Sequence, residues 1–291
     1  MKRAYALLAC LIVLATLLTS CATPTSQPAT SQPTAPSAGQ PATSQPAATQ
    51  PADQGLLGQI MQQKQLIVGT SADYPPYESV DKNNNYTGLD MDVIREIGKR
   101  MGVDVKIQDM GFDSLIAAVQ QRKVDVVIAA MQATAARAQT VDFSVVYHMP
   151  KDGFLVSSKA TFTMSDPKDA GGKNIGVQTG TVQDTWIENN LVKTGLTKES
   201  QVFRYERVDD AARDLQNGRI DVLMIIGDAA EALAKQMGLK VALLTDKTIS
   251  AGQAIAMPKG ETALKAKIDG IIGDMQSDGT MQKLQDADGV P

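Results

Sequence analysis

Twice in this chain an aspartate opens an amphipathic helical segment that passes directly into a continuous apolar run. In the first copy Asp113 precedes SLIAAVQQRK and the run from Val124 to Ala130; in the second, Asp209 and Asp210 precede AARDLQNGR and the run from Asp221 to Ile226. Leu115, Ile116 and Val119 recur at helical spacing in one copy, Ala211, Ala212 and Leu215 in the other. A further aspartate, Asp125 or Asp221, stands twelve positions after the first in both (125 − 113 and 221 − 209). Unbroken apolar runs of this length read as strands buried on both faces. The repetition therefore predicts two lobes of similar build, each a mainly parallel sheet flanked by helices.

The alternation extends to either side. Periodicity predicts strand 65–71, helix 89–101, strand 105–109, helix 114–122 and strand 124–130 in the first lobe. In the second it predicts strand 174–179, helix 182–193, strand 202–205, helix 209–217, strand 221–226 and helix 229–237. Asp113 and Asp209 are expected N-caps, and Gly102 and Gly238 expected helix stops. Extended segments at 153–157 and 255–257 read as two crossings between lobes, and a helix over 261–276 follows. These assignments divide the folded part into lobe 1 (56–155), lobe 2 (156–250) and a return to lobe 1 (251–291). A chain that leaves one lobe and returns makes a hinged cleft, suited to trapping a small ligand.

The N-terminal region has a different character. Lys2 and Arg3 precede an apolar run from Ala4 to Leu18 that is too short to span a bilayer and reads as an export signal over 1–20. Leu18-Thr19-Ser20-Cys21 resembles the bacterial lipoprotein cleavage signal, which makes Cys21 an expected lipid anchor; the alternative is an ordinary cysteine beside a cleavage site. Residues 21–55 are rich in Pro, Ser, Thr, Gln and Ala, with PATSQP at 28–33 and again at 41–46. Such a composition cannot offset its ordering entropy, so it reads as a disordered tether.

Cysteine and charge narrow the function classes. The chain has two cysteines, Cys10 within the signal and Cys21, so the mature protein has no disulfide and its fold rests on its core. A formal charge of −4 with no basic stripe argues against a nucleic-acid partner. The single histidine, His148, and the lack of a Cys/His cluster argue against a metal site or a Ser-His-Asp triad. His148 is expected to be solvated or hydrogen-bonded, and no cofactor is implied.

The run from Val124 ends in MQATAAR, so small and polar residues fall at a strand's carboxyl end, where open α/β sheets bind ligands. Arg137 is placed there to meet an anion. In the second lobe Gly180, just before a helix, allows close backbone approach.

Six segments carry a resemblance: VGTSADYPPYE (68–78), YTGLDMDVIREIGKRMG (86–102), GFDSLIAAVQQRKVDVVIAAM (111–131), Thr134 to Arg137 with VDFS (141–144), NIGVQTGT (174–181) and SDGTMQKL (277–284). In order and spacing they resemble the polar amino-acid family of solute-binding proteins that serve ATP-driven (ABC) importers, bacterial extracellular solute-binding protein family 3. The resemblance spans 65–285 and implies a two-lobe, type II periplasmic-binding fold with two hinge crossings. It also implies an extracytoplasmic, membrane-anchored protein that hands an amino acid or related carboxylate to an ABC permease, a task for which a hinged cleft needs only a monomer.

Residue by residue, the resemblance gives Arg137 the substrate α-carboxylate, which suits a planar guanidinium fork. Thr179, Gly180 and Thr181 become the second lobe's contribution to that carboxylate. Tyr74 matches an aromatic lying against the ligand, Phe112 a large apolar residue facing it, and Ala130, Met131 and Gln132 the strand end beside it. The chain also departs from the family pattern. Val182 stands where a hydroxyl residue is frequent, Gln132 where Ser or Thr is usual, and Ser71 where aspartate is common. Ile226 occupies the position of the aspartate that binds the α-amine, with Asp228 two residues later. Either Asp228 reaches the amine, or the ligand lacks an ordinary α-amine and Asp73 and Glu78 become candidates for another group.

Three functions compete on these residues. The leading one is solute capture and delivery. The others are a dehydratase acting on cyclic carboxylates, with Asp73, Glu78 or Asp228 as general acid, and a ligand sensor for a membrane receptor.

Overall fold

The computed structural model describes residues 55–248 and 251–291; the expected signal, the tether up to residue 54 and Cys21 lie outside the described residues. The first lobe contains α1 (Gly55–Gln63), β1 (Gln65–Thr70), β2 (Asp73–Tyr74), β3 (Glu78–Val80), β4 (Tyr86–Thr87), α2 (Leu89–Met101), β5 (Asp104–Asp109), α3 (Leu115–Gln120), β6 (Val126–Val127) and β7 (Val141–Phe143). The second begins at β8 (Asp152–Val156), whose place in its sheet moves the expected boundary from 155 to before 152, and contains β9 (Ile175–Gln178), α4 (Val182–Ile187), β10 (Val202–Tyr205), α5 (Val208–Gln216), β11 (Val222–Ile226), α6 (Gly227–Met237) and β12 (Lys240–Thr245). The chain then returns through β13 (Ala256–Pro258), α7 (Thr262–Ser277) and α8 (Thr280–Asp288).

Each lobe is built on a five-stranded sheet, in the order β5-β1-β6-β13-β7 in lobe 1 and β10-β9-β11-β8-β12 in lobe 2. The three strands that carry the repeat are parallel in both, β5, β1 and β6 in one and β10, β9 and β11 in the other. The remaining pairings are antiparallel because β8 and β13 arrive through the crossings. At the hinge the crossings bond to each other, with Tyr147 N–H on Gln253 O at 3.0 Å and Ser144 N–H on Ile255 O at 2.9 Å.

Burial on both faces explains the unbroken apolar runs. In β11, Leu223 and Ile225 pack into one cluster with Ala211, Leu215 and Ala230, while Val222 and Met224 pack into another with Phe154, Ile175 and Ile187. Each such side chain contributes about 1.5–3 kcal/mol relative to exposure. The repeated aspartates have one local task in both lobes. Asp125 takes the Ile67 N–H on its carboxylate at 2.7 Å and gives its own N–H to Ile67 O at 2.8 Å. Asp221 does the same with Asn174, at 2.8 Å and 2.7 Å. The side chain thus clamps the third strand of each repeat to the first.

Several boundaries differ from the sequence reading. The run 124–130 is buried as expected, but regular pairing is confined to Val126–Val127. Ala130 turns the chain at φ 46°, and its N–H is taken at 2.6 Å by the Asp90 carboxylate instead of a neighbouring strand. α4 ends at Ile187 and widens into a π-type turn over Glu188–Val192. Gly102 and Gly238 do stop their helices in the left-handed region, at φ 72° and 67°. Neither Asp113 nor Asp209 is an N-cap, since α3 begins behind the tight turn Phe112–Ser114 and α5 begins at Val208.

Candidate functional site

The two lobes meet over a narrow cavity of about 10 Å³, room for little more than a single water molecule. Lobe 1 lines it with Tyr74, Phe112, Ala130 and Gln132, and lobe 2 with Gln178, Thr181, Gln183 and Ile226. These residues come from strand ends and the loops after them, as the parallel order of each sheet requires.

Arg137 stands at the seam. Its guanidinium donates to Gln132 O at 2.8 Å in its own lobe and to Gly180 O at 3.1 Å in the other, and lies 5.3 Å from the centre of the Phe112 ring. Burial lowers its pKa to about 10, so it remains cationic at neutral pH. Among the described residues it has no carboxylate partner, and the Gln132 Nε2, buried in the cavity wall, has no acceptor. Gly180 adopts φ 76°, which strains any other residue, and a Cβ there would crowd Asp113 Cβ at 3.2 Å.

The Thr181 hydroxyl opens α4, accepting the Asp184 N–H at 3.1 Å and donating to Gln178 O at 2.8 Å. Val182 is half-buried in a groove that runs outward from Arg137 and Gly180 toward Trp186. Thr179 turns to the sheet, its N–H and hydroxyl both on Tyr205 O. Met131 points into the lobe 1 core beside Phe112 and Val141 rather than into the cavity.

The amine half of the site is arranged differently from both sequence expectations. Ile226 lines the cavity, and its N–H donates to the Tyr74 hydroxyl at 2.8 Å, so Tyr74 is bonded across the lobes. Asp228 does not reach the cavity. It lies in the first turn of α6, facing the hinge, where it takes the Tyr77 hydroxyl at 2.5 Å and meets His148 Nε2 at 3.2 Å. Burial alone would raise its pKa, but the His148 and Tyr77 hydrogen bonds bring it below the ordinary value. His148 is thus the buried, hydrogen-bonded residue of the second sequence alternative.

Asp73 is engaged elsewhere as well. Its carboxylate accepts the Val208 N–H at the start of α5 and the Ser71 hydroxyl at 2.8 Å, with Arg207 3.5 Å away. Burial is the larger effect and raises its pKa. Arg207 itself forks onto Asp109 at 3.0 and 2.8 Å, a second clasp between the lobes. Glu78 lies fully inside lobe 1, where burial first and then the Asp90 charge raise its pKa well above the ordinary range.

Sequence reasoning passed over one carboxylate. Asp152 opens β8 and pairs in register with Ile226. It is 1% exposed, accepts from Gln183 Nε2 at 2.6 Å and from the Thr248 hydroxyl, and burial lifts its pKa to about 6. The only signal in the sequence was an acid directly before the apolar GFLV of a crossing.

Comparison with known proteins places this arrangement. A family model described as bacterial extracellular solute-binding proteins, family 3, matches residues 66–287. The arginine-binding extracellular protein ArtP of Bacillus subtilis (strain 168) is 32% identical over 225 residues, covering 77% of this chain and 85% of that protein. An ancestral arginine-binding protein bound to arginine matches with a TM-score of 0.72 at 32% identity, over 77% of this chain and 97% of that one. The ancestral amino acid-binding protein AncCDT-1, a precursor of cyclohexadienyl dehydratase, matches with a TM-score of 0.72 at 28% identity, over 80% of this chain and 99% of that one.

Proposed function

The chain belongs to the bacterial extracellular solute-binding proteins, family 3, and from that membership we propose that it captures an amino acid or closely related carboxylate between its lobes and delivers it to an ABC permease. The observation that carries this reading is Arg137, a half-buried guanidinium at the lobe seam bonded to carbonyls alone. A substrate carboxylate supplies the missing negative charge and two parallel charge-assisted bonds, with the orphan Gln132 Nε2 as a further donor. Bonds from one ligand to both lobes favour the closed form by their differential free energy, and the closed form is what a permease would recognise.

Cys21, once acylated, holds the domain at the outer face of the membrane through the tether. Two acyl chains give the stable attachment that one does not. Each chain carries both halves of the cleft, so a monomer suffices. Among the described residues no helix is long and apolar enough to cross a membrane.

One observation favours an enzymatic reading, namely Asp152, a buried carboxyl with a pKa of about 6 beside the cavity, in the range useful for a general acid. A thermal-shift screen separates the two. Proteinogenic L-amino acids, their keto and decarboxylated analogues and prephenate-like cyclic acids are added to the protein, with turnover of each measured in parallel. The binding reading expects an L-amino acid to raise Tm without turnover, its decarboxylated analogue to be inert, and Arg137→Ala to lose the response. Product formed from a cyclic acid would overturn it.

A further inference from the structure

Two charged groups flank the cavity without a counter-charge, a half-buried cation in lobe 1 and a buried acid in lobe 2. Arg137 is bonded to carbonyls only. Asp152 is bonded to an amide and a hydroxyl only, and no cationic side chain contributes to its environment. A buried carboxylate left without a cation is strongly unfavourable. It also accepts about four hydrogen bonds, of which two are used here.

The position of Asp152 is as informative as its charge. It stands opposite Ile226 in the β8–β11 register, so it lies one strand, about 5 Å, from the place where the sequence led us to expect an acid for the amine. Gln183 joins it to the cavity. This side chain is 3% exposed and lines the cavity, and its Nε2 is committed to Asp152. That fixes the amide's orientation, because a carboxylate accepts only from the NH₂ end. The Gln183 Oε1 is left over and accepts no bond among the described residues. It is a carbonyl oxygen backed by a negative charge, the polarity an ammonium requires. The neighbouring Tyr74 stays protonated, since burial first, and the Asp152 charge among other contributors, raise its pKa well above the ordinary value.

We propose that the ligand's ammonium is received in lobe 2 by Gln183 Oε1, with Asp152 as the positioning residue and counter-charge behind it. The expected acid is thus moved from the end of β11 to the start of β8 rather than lost. This rests on the solute-capture reading and specifies its substrate class, a zwitterionic α-amino acid with its carboxylate on Arg137 and its amine toward Asp152. Ile226 then fills the space beside the ammonium and is no sign of an amine-free ligand.

The test is calorimetric titration of the full chain with matched pairs, each an L-amino acid and the same acid without its α-amine, carrying the side chains of arginine, glutamine, histidine and leucine. Wild type is expected to prefer the tightest amino acid over its partner by about 100-fold, and Asp152→Asn to cut that ratio at least about tenfold while the amine-free acid binds as before. An unchanged ratio, or equal weakening of both partners as a purely structural role would give, overturns the proposal. So does turnover of a cyclic acid that depends on Asp152. If wild type binds no member of any pair, the capture reading itself fails, a result distinct from amino-acid binding that ignores Asp152. Should Asp152→Asn fail to fold, the wild-type complex with its tightest amino acid decides. An ammonium at hydrogen-bond distance from Gln183 Oε1 is expected, and an ammonium placed elsewhere refutes the assignment.

Discussion

Lobes 1 and 2 share their lower half and differ in their upper half. In both, an aspartate clamps the third strand of the repeat to the first, Asp125 to Ile67 and Asp221 to Asn174, with nearly equal distances. At the cleft end the likeness stops. Lobe 1 breaks its strand after Val127, bends at Ala130 and runs on to a cation, Arg137. Lobe 2 carries β11 to Ile226 and enters α6 at once, so its charge comes from the adjacent β8 as the anion Asp152. The repeated residues hold the sheets together, and the unrepeated ones give the two lobes opposite poles.

The strongest way to break this division is Arg137→Ala. It is expected to cost about 2–5 kcal/mol of ligand binding, read by calorimetry, while the ligand-free melting temperature stays within a few degrees because no ion pair is lost. Full affinity in this variant would remove the cationic pole from lobe 1.

The anionic pole is probed by pH. Asp152 holds its proton up to about pH 6 in the folded chain against an ordinary 3.8. Between those values the folded state binds the extra proton, so unfolding free energy falls as pH rises, by up to about 3 kcal/mol from this group. In urea melts of the ligand-free protein, Asp152→Asn should flatten the loss between pH 4 and 7. Asp90 in lobe 1, also raised to about 6 by burial, leaves a residual slope. Equal slopes in variant and wild type would mean that Asp152 is not a buried, uncompensated acid.

A finer test addresses the shared half. Asp125→Ala and Asp221→Ala each leave a strand N–H unpaired and should each cost about 1–3 kcal/mol in urea denaturation. Costs differing by more than about 1 kcal/mol would show that the clamps are alike in geometry but not in energy. The smallest effect is expected from Arg207→Ala. Its fork onto Asp109 is partly exposed, with 27% of the arginine side chain accessible, so global stability should change by less than about 1 kcal/mol. The balance between open and closed forms should still shift toward open, seen as a larger radius of gyration by X-ray scattering at low salt. No change in that radius would mean that the clasp does not hold the lobes.

What could be read from the sequence follows the range of the forces involved. α2 was predicted to the residue because its periodicity, acidic first turn and stop at Gly102 are all local. The core strands were found because burial on both faces leaves an unbroken apolar run. Arg137 stands out in the sequence through its strand-end position and the family segments around it, and the structure puts it at the lobe seam. The two- and three-residue strands β2 to β4 are too short for any periodicity to register. β12 was missed because its burial is only partial. Asp228 is a candidate in the sequence for lying two residues past the family's amine-binding position, and Asp73 for lying just past the first strand; their partners are Val208 for Asp73 and Tyr77 for Asp228, each more than a hundred positions away. Asp152 stayed hidden because its meaning depends on lying beside Ile226, a fact of sheet order.

The bond from Asp73 to the Val208 N–H has a further consequence. α5 has no side-chain cap of its own, as its N-cap residue is Arg207 with none of the required acceptors, and the carboxylate that serves it belongs to the other lobe. When the cleft opens, the first turn of α5 loses that acceptor and should fray. Deuterium uptake at Val208 would then count opening events directly, slowing as ligand saturates the protein and rising in Asp73→Ala to the level set by solvent alone.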